Sequence, residues 1–419
     1  MLPAEYLIMR NHNLPAGIVC PIPLYITAGQ KGMVIGMEKK TFLYISCWDN
    51  LGGAPGLGTF CFDNETGAIR PVSVIREDLS CGFSFVDKDK KILYVCIETE
   101  NHPDYFQGGG GRLFAFKINE EDGTLSEFSS ARTFCPNPCY MSLDPSGKFM
   151  AVANHSAYNA STKIVLGEDG EYRCEMVFDD SVVEVFQING DGSFGKLLDV
   201  NYHDKPAKGR AQHSHPQSAV MAPSGSFFVC TDVAEHCIYT YRIAPETGKL
   251  TVLSVYKDTP KSKPRYCVFH PTLPLLYVNY EGQAVLQVFR YTEDGVLTPE
   301  ASVCAVPEGL DYPEGKGQSG LLVHPSGEYI YGLLNASASV AVFHLDKATG
   351  LPELVQCVSS VREKKLRAIG LSPDGAFLVT TCLQSGGIDV YAVGADGRLT
   401  ATDHHAELKG AAFATFFQV

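Results

Sequence analysis

The stretch NPCYMSLDPSGKFMAVAN, residues 137–154, places two apolar runs on either side of the turn PSG. Pro145 presets φ for that turn and Gly147 takes the positive φ, so the chain reverses here. The run after the turn returns throughout the sequence, as LYIS at 43, LYVC at 93, MAVA at 150, FVCT at 228, LYVN at 276, IYGL at 330 and LVTT at 378. Turns of the same kind precede five of them: PSGKF, PSGSF, PTLPL, PSGEY and PDGAF. Each is followed by a second alternating run ending in DG or TG, such as RLFAFKINEEDGTL and SVAVFHLDKATGLP. These runs are rich in β-branched and aromatic residues, which suits strands.

A repeat of about 50 residues, about four strands per copy and no amphipathic helical stretch together predict a seven-bladed β-propeller. The fold class is therefore all-β. One spacing is longer, and its surplus falls at 158–180, which reads as a loop insertion. The closing stretch GAAFATFF (410–417) resembles the first strand of a repeat without its continuation, and the first repeat lacks that strand. The C-terminal strand is thus expected to join the first blade and close the ring, leaving no exposed edge.

The 419 residues therefore divide into a propeller domain at 37–419 and an N-terminal extension at 1–36 outside the repeat. That extension lacks the basic start, apolar centre and small-residue cleavage site of a signal peptide. A net charge of −13 makes a nucleic-acid partner unexpected. No run of 18 apolar residues occurs, so no membrane helix is expected. The 14 cysteines are scattered through apolar runs, as buried thiols are. Only Cys135 and Cys139 lie close together, and the two prolines and three-residue spacing between them fit a zinc knuckle poorly. Reduced thiols and a cytoplasmic location are the expectation, as a monomer or homodimer.

Strand order fixes where a site must lie. The loop that leads into each innermost strand and the loop after the second strand share one face, while the PSG and DG turns share the other. Leading loops bring Arg210, His213, His215 and Gln217, then Lys263 and Arg265, Lys316 and Gln318, and Arg367 to the first face. Post-strand loops add Trp48 and Asp49, Glu98, Asn154 and His155, Asp232, Glu281, Asn335 and Gln384. Ionisable groups crowd that face around the central channel, the natural place for a polar pocket.

With these residues placed, residues 41–418 resemble the seven-bladed lactonase family, which includes propeller-type 6-phosphogluconolactonases and carboxy-muconate lactonizing enzymes. The resemblance rests on LYVCIE, NPCYMSLDPSGKFMAVAN, SHPQSAVMAPSG, KPRYCVFHP with LYVNYE, RAIGLSPDGAFL and the closing strand. It implies that Arg265 and Glu281 hold the family's Arg and Glu of blade five, Asp232 its Asp of blade four and Glu98 its Glu of blade two. Gln217 stands six residues before the turn Pro223, where the family often has His. Gly320 and Asn335 stand where it often has an acidic residue and an Arg.

Opening a lactone needs a group to move protons and positive charge for the developing oxyanion. The expected catalytic set is His215 for proton transfer, Arg265 for the anion and Glu281 in support. The expected substrate contacts are Arg210, Gln217, Asp232, Glu98, Asn154, His155, Lys263 and Arg367. No cofactor is expected. The pair His213 and His215 points to opposite faces if extended, which argues against one shared metal ion. The substrate is expected to be a small anionic sugar lactone, hydrolysed without a metal. The alternatives are a carboxy-muconate-type cycloisomerase, a sugar-acid lyase or isomerase on the same face, and a non-catalytic binding platform.

Overall fold

In the computed structural model, which describes residues 39–49, 56–105, 108–157, 160–203, 214–309, 312–313 and 317–419, the repeats form seven four-stranded antiparallel sheets. Each PSG-type turn joins an innermost strand to the second strand of its sheet, as between Pro138–Leu143 and Phe149–Asn154. The innermost strands of blades two to seven are Cys81–Asp87, Pro138–Leu143, Pro216–Met221, Pro264–Phe269, Gln318–Val323 and Ala368–Leu371. Ala411–Gln418 supplies that of blade one, and these strands neighbour one another in a closed ring.

Closure follows the expected course. Thr41–Cys47 pairs antiparallel with Ala411–Gln418, Thr41 opposite Gln418 and Leu43 opposite Phe416. The Val419 amide also donates to the Lys40 carbonyl at 2.9 Å. Blade one is therefore built from both ends of the propeller, and its sheet has the same four strands as the rest.

Second strands are buried on both faces, including every residue of Ile92–Ile97 and Leu275–Tyr280. This explains why they read as continuous apolar runs: each is packed between its two neighbouring blades. Outer strands such as Leu250–Lys257 are half-exposed and alternate. The core consequently lies between blades. Phe42 and Tyr44 of blade one, for example, pack with Leu93, Val95, Phe114 and Phe116 of blade two.

A polar clasp repeats across these seams. Tyr44, Tyr94, Tyr277 and Tyr331 are fully buried. Their hydroxyls donate to the carbonyls of Gly123, Gly192, Gly350 and Gly397 at 2.7–3.1 Å. Each of these glycines closes the DG or TG turn of the next blade. All four have positive φ, and a Cβ on Gly397 would lie 2.2 Å from the Tyr329 ring. The tyrosine in the run and the glycine in the turn are thus two halves of one contact, and a buried hydroxyl is satisfied.

The surplus between blades three and four is more ordered than a loop. Ala160–Leu166 pairs with Tyr172–Phe178 in a separate two-stranded ribbon. Ile164, Leu166 and Tyr172 are exposed on it. Its β-branched and aromatic content lets it pair with itself where no blade is available. Positions 158–159 and the extension at 1–36 lie outside the described residues.

Candidate functional site

Blades two to six share a departure from regular pairing at the mouth of the innermost strand. The register breaks between Cys81 and Ser84, Pro138 and Tyr140, Pro216 and Ser218, Pro264 and Cys267, and Ser319 and Leu321. A bulge bends its strand and re-aims the side chains it carries. The residues released include Gly82, Cys139, Gln217, Arg265 and Gly320. Gln217 and Arg265, both six residues before a turn proline, are among the expected site residues.

Groups from several blades meet in the central space. Arg265 of blade five pairs through Nη1 with Glu281 Oε2, and its guanidinium lies 5.5 Å from the Tyr266 ring centroid. Lys263 Nζ approaches Glu281 Oε1 at 4.0 Å from the rim. Arg265, with help from Lys263, holds the Glu281 carboxyl below the usual range, so it stays ionised. Arg367 of blade seven lies between two rings, 5.4 Å from the Trp48 centroid and 5.5 Å from that of Phe413. Its Nε is buried, and among the described residues its guanidinium forms no hydrogen bond or ion pair.

Glu98 follows the second strand of blade two and senses both guanidiniums. Loss of water pushes its carboxyl up to about 7, while Arg367 and Arg265 pull the other way. Its side chain rests on Gly82, where a Cβ would lie 2.2 Å from Oε1. Here glycine is required for clearance. Glu98, Arg265 and Arg367 come from three blades, so their mutual influence places them in the shared channel.

The histidines are arranged differently from the sequence expectation. His155 and His215 stack at 4.4 Å with their planes 10° apart. His215 Nδ1 lies 2.6 Å from the His155 carbonyl, so it carries the proton and donates. His215 is 3% exposed and its Nε2 is buried. The sequence expectation makes His215 the proton-transfer group; the structure places its ring face to face with that of His155. Burial, then the neighbouring His215 and Arg265, push His155 down to about 3, so it is a neutral imidazole.

The expected substrate contacts Asp232 and Asn154 are both buried and engaged within the protein. Asp232 is fully buried. Its Oδ2 accepts from His203 Nδ1 at 2.8 Å and from Ser214 Oγ, and its Oδ1 accepts from the amides of His215, Ala234 and Glu235 at 2.9–3.1 Å. Burial raises its pKa, but the hydrogen bond and charge of His203 with the other donors hold it well below the usual range. No lone pair remains for a substrate; Asp232 positions the mouth of blade four. Asn154 is buried and donates to Glu184 Oε2 at 3.2 Å. Arg210, with His213 and Lys316, lies outside the described residues.

An aromatic belt was missed in the sequence. Phe83 and Tyr140 stack at 3.9 Å, Phe413 meets Phe83 edge-on at 5.9 Å, and Tyr266 lies 6.0 Å from Tyr140. Tyr140 and Tyr266 stand five residues before their turn prolines, and Phe83 and Phe413 open the innermost strands of blades two and one. Aligning the repeats on the turn would have found them. Together the belt, two guanidiniums, two carboxylates and a neutral imidazole can bind an anion and move a proton. Among the described residues no three His, Cys, Asp or Glu side chains are grouped as metal ligands.

Comparison with known proteins agrees with this architecture. The family model described as "Lactonase, 7-bladed beta-propeller" matches residues 42–416. A 6-phosphogluconolactonase of Bacillus subtilis is 23% identical over 352 residues, covering 83% of this chain and 90% of that protein. A probable 6-phosphogluconolactonase of Arthroderma benhamiae is 23% identical over 81% of this chain and 80% of its own length. Among solved structures, the periplasmic gluconolactonase PpgL of Pseudomonas aeruginosa superposes with a TM-score of 0.76 at 21% identity, covering 90% of this chain and 99% of its own. With its repeats, ring closure and channel, the chain belongs to the seven-bladed β-propeller lactonase family.

Proposed function

We propose that this protein hydrolyses a small anionic sugar lactone in its central channel, without a metal ion. Arg367 carries the reading. It is a permanent cation with its Nε buried, held near two rings and, among the described residues, without a hydrogen bond or ion pair; the nearby Glu98 carboxyl is the negative group it senses. Such a cation is suited to a substrate's phosphate or carboxylate. Arg265 is anchored by Glu281 and backed by Tyr266. In this reading it faces the lactone carbonyl, where a preorganised positive charge stabilises the oxyanion that forms as water adds.

The other groups fall into supporting roles. Glu281 orients Arg265, Lys263 raises the positive potential at the rim, and His155 offers a neutral ring. Gln217 donates and accepts hydrogen bonds but cannot shuttle a proton. The aromatic belt suits the C–H face of a sugar ring. The described cysteines are not joined in disulfides, which supports a reducing compartment and a cytoplasmic enzyme.

The test is a panel of sugar lactones, phosphorylated, carboxylated and neutral, assayed by acid release with and without chelator. Chelator-insensitive hydrolysis with preference for the anionic members is expected. Ring closure of a carboxylated diene acid, with no lactone hydrolysis, would point instead to a cycloisomerase. Binding without turnover would point to a non-catalytic platform.

A further inference from the structure

We infer that Glu98 is the proton-transfer group of the channel, taking a proton from the attacking water and returning it to the leaving ring oxygen. The inference rests on the lactonase reading and supplies what Gln217 cannot. It begins from the engagement of each acid–base group near the two guanidiniums. The Glu281 oxygens are held by Arg265 and approached by Lys263. The His215 ring is stacked on that of His155, with Nε2 buried and Nδ1 bound to a carbonyl. Asp232 is fully committed to five donors. By contrast, the Glu98 carboxyl receives no hydrogen bond from the described residues, and it rests on a residue that has no side chain to cover it.

The surroundings match the task. The charged and titratable groups facing Glu98 are Arg367 and Arg265 from blades seven and five, with Tyr266 beside Arg265. The buried thiols Cys139 of blade three and Cys96 of its own strand complete the set. The two guanidiniums favour a carboxylate, while burial opposes it. The balance leaves the carboxyl near neutrality, where a base can also serve as an acid. His155, in the same channel, is pushed the other way and is a weak base.

The step balances without a co-reactant. Ionised Glu98 takes a proton from water as the water oxygen bonds to the lactone carbonyl carbon and the π pair moves onto the carbonyl oxygen beside Arg265. When that pair returns, the bond from carbon to the ring oxygen breaks. The ring oxygen takes the proton held by Glu98, giving the open hydroxy acid and restoring the carboxylate.

Steady-state hydrolysis across pH 5–9 tests this in the full chain, comparing wild type with Glu98→Gln and Glu98→Asp. Removal of a general acid–base group lowers turnover by about 10²–10⁴-fold. The expected result is a kcat loss of that size in Glu98→Gln, KM within about threefold, and loss of the acid limb of the wild-type profile. Glu98→Asp keeps the limb with an intermediate kcat. Wild-type activity that persists in Glu98→Gln with the same acid limb overturns the assignment and leaves the lactonase reading standing. Wild type inactive on every lactone overturns both. Circular dichroism and melting curves matching wild type show that a lost rate is not lost folding.

Discussion

Replacing Asp232 with Ala separates a positioning role from a substrate contact. The carboxylate accepts five hydrogen bonds at a site with no solvent exposure. Its removal strands the His203 ring N–H, the Ser214 hydroxyl and three amides. Leaving a buried donor unsatisfied costs about 1–3 kcal/mol, and about 4 kcal/mol for the set is the natural expectation. A propeller of this length unfolds with an entropy of roughly 0.8 kcal/mol per degree. The melting temperature should therefore fall by about 5 °C. Because the folded carboxyl is held below its ordinary value, its stabilisation is present above about pH 4 and is lost as pH falls through the folded value. The gap between wild type and variant should accordingly narrow only slightly from pH 7 to pH 3.5, which still lies above the folded value. Differential scanning calorimetry at pH 7 and pH 3.5 measures both, and lactone kinetics at 20 °C should give KM within about threefold. A melting temperature unchanged within 1 °C with a tenfold rise in KM would refute the lone-pair argument and return Asp232 to the substrate.

Three further outcomes follow from named contacts. Arg367→Ala should raise KM for anionic lactones about 10–100-fold, the equivalent of one charge-assisted bond, while neutral lactones are little affected; equal effects on both would show a structural role. Gly82→Ala places a Cβ 2.2 Å from Glu98 Oε1, so kcat should fall more than tenfold with only a small drop in melting temperature, and a retained rate would show that the carboxyl position does not matter. Glu184 is fully buried and burial pushes its carboxyl up to about 7, so its contribution to stability is complete below about pH 4.5 and is lost as pH rises through about 7. Glu184→Gln should flatten the decline in melting temperature between about pH 4.5 and 7, and parallel curves would count against it.

The blades were readable because their determinants are local and repeated. A turn proline, a doubly buried second strand and a closing glycine recur at fixed offsets, and the last half-repeat disclosed the ring closure. The site was readable only in part. Sequence placed Arg265, Glu281, Glu98 and Arg367 on one face, since the order of strands decides faces. It could not tell which of them look into the channel, because bulges break the alternation on which such reasoning depends. His215 illustrates this: two residues before a bulge, its ring turns against His155. Asp232 shows the other gap, since a carboxylate's spare lone pairs depend on donors such as His203, 29 positions away. The aromatic belt lies one position from Gln217 and Arg265 in the repeat, five residues before the turn proline at Tyr140 and Tyr266.

Ring closure has a consequence for how the chain is made. Thr41 and Gln418 meet across 377 positions of sequence, so blade one cannot be completed until nearly the whole propeller has been synthesised. At about 5–20 residues per second, the strand Thr41–Cys47 waits roughly 20–75 s for its partner after leaving the ribosome. Throughout that interval one flank of an apolar strand is open to any other extended chain. The same pairing that covers the inner flank of Thr41–Cys47 in the finished ring thus creates a timed vulnerability during synthesis. Conditions that slow translation late in the message should lower the soluble yield more than equal delays early in it.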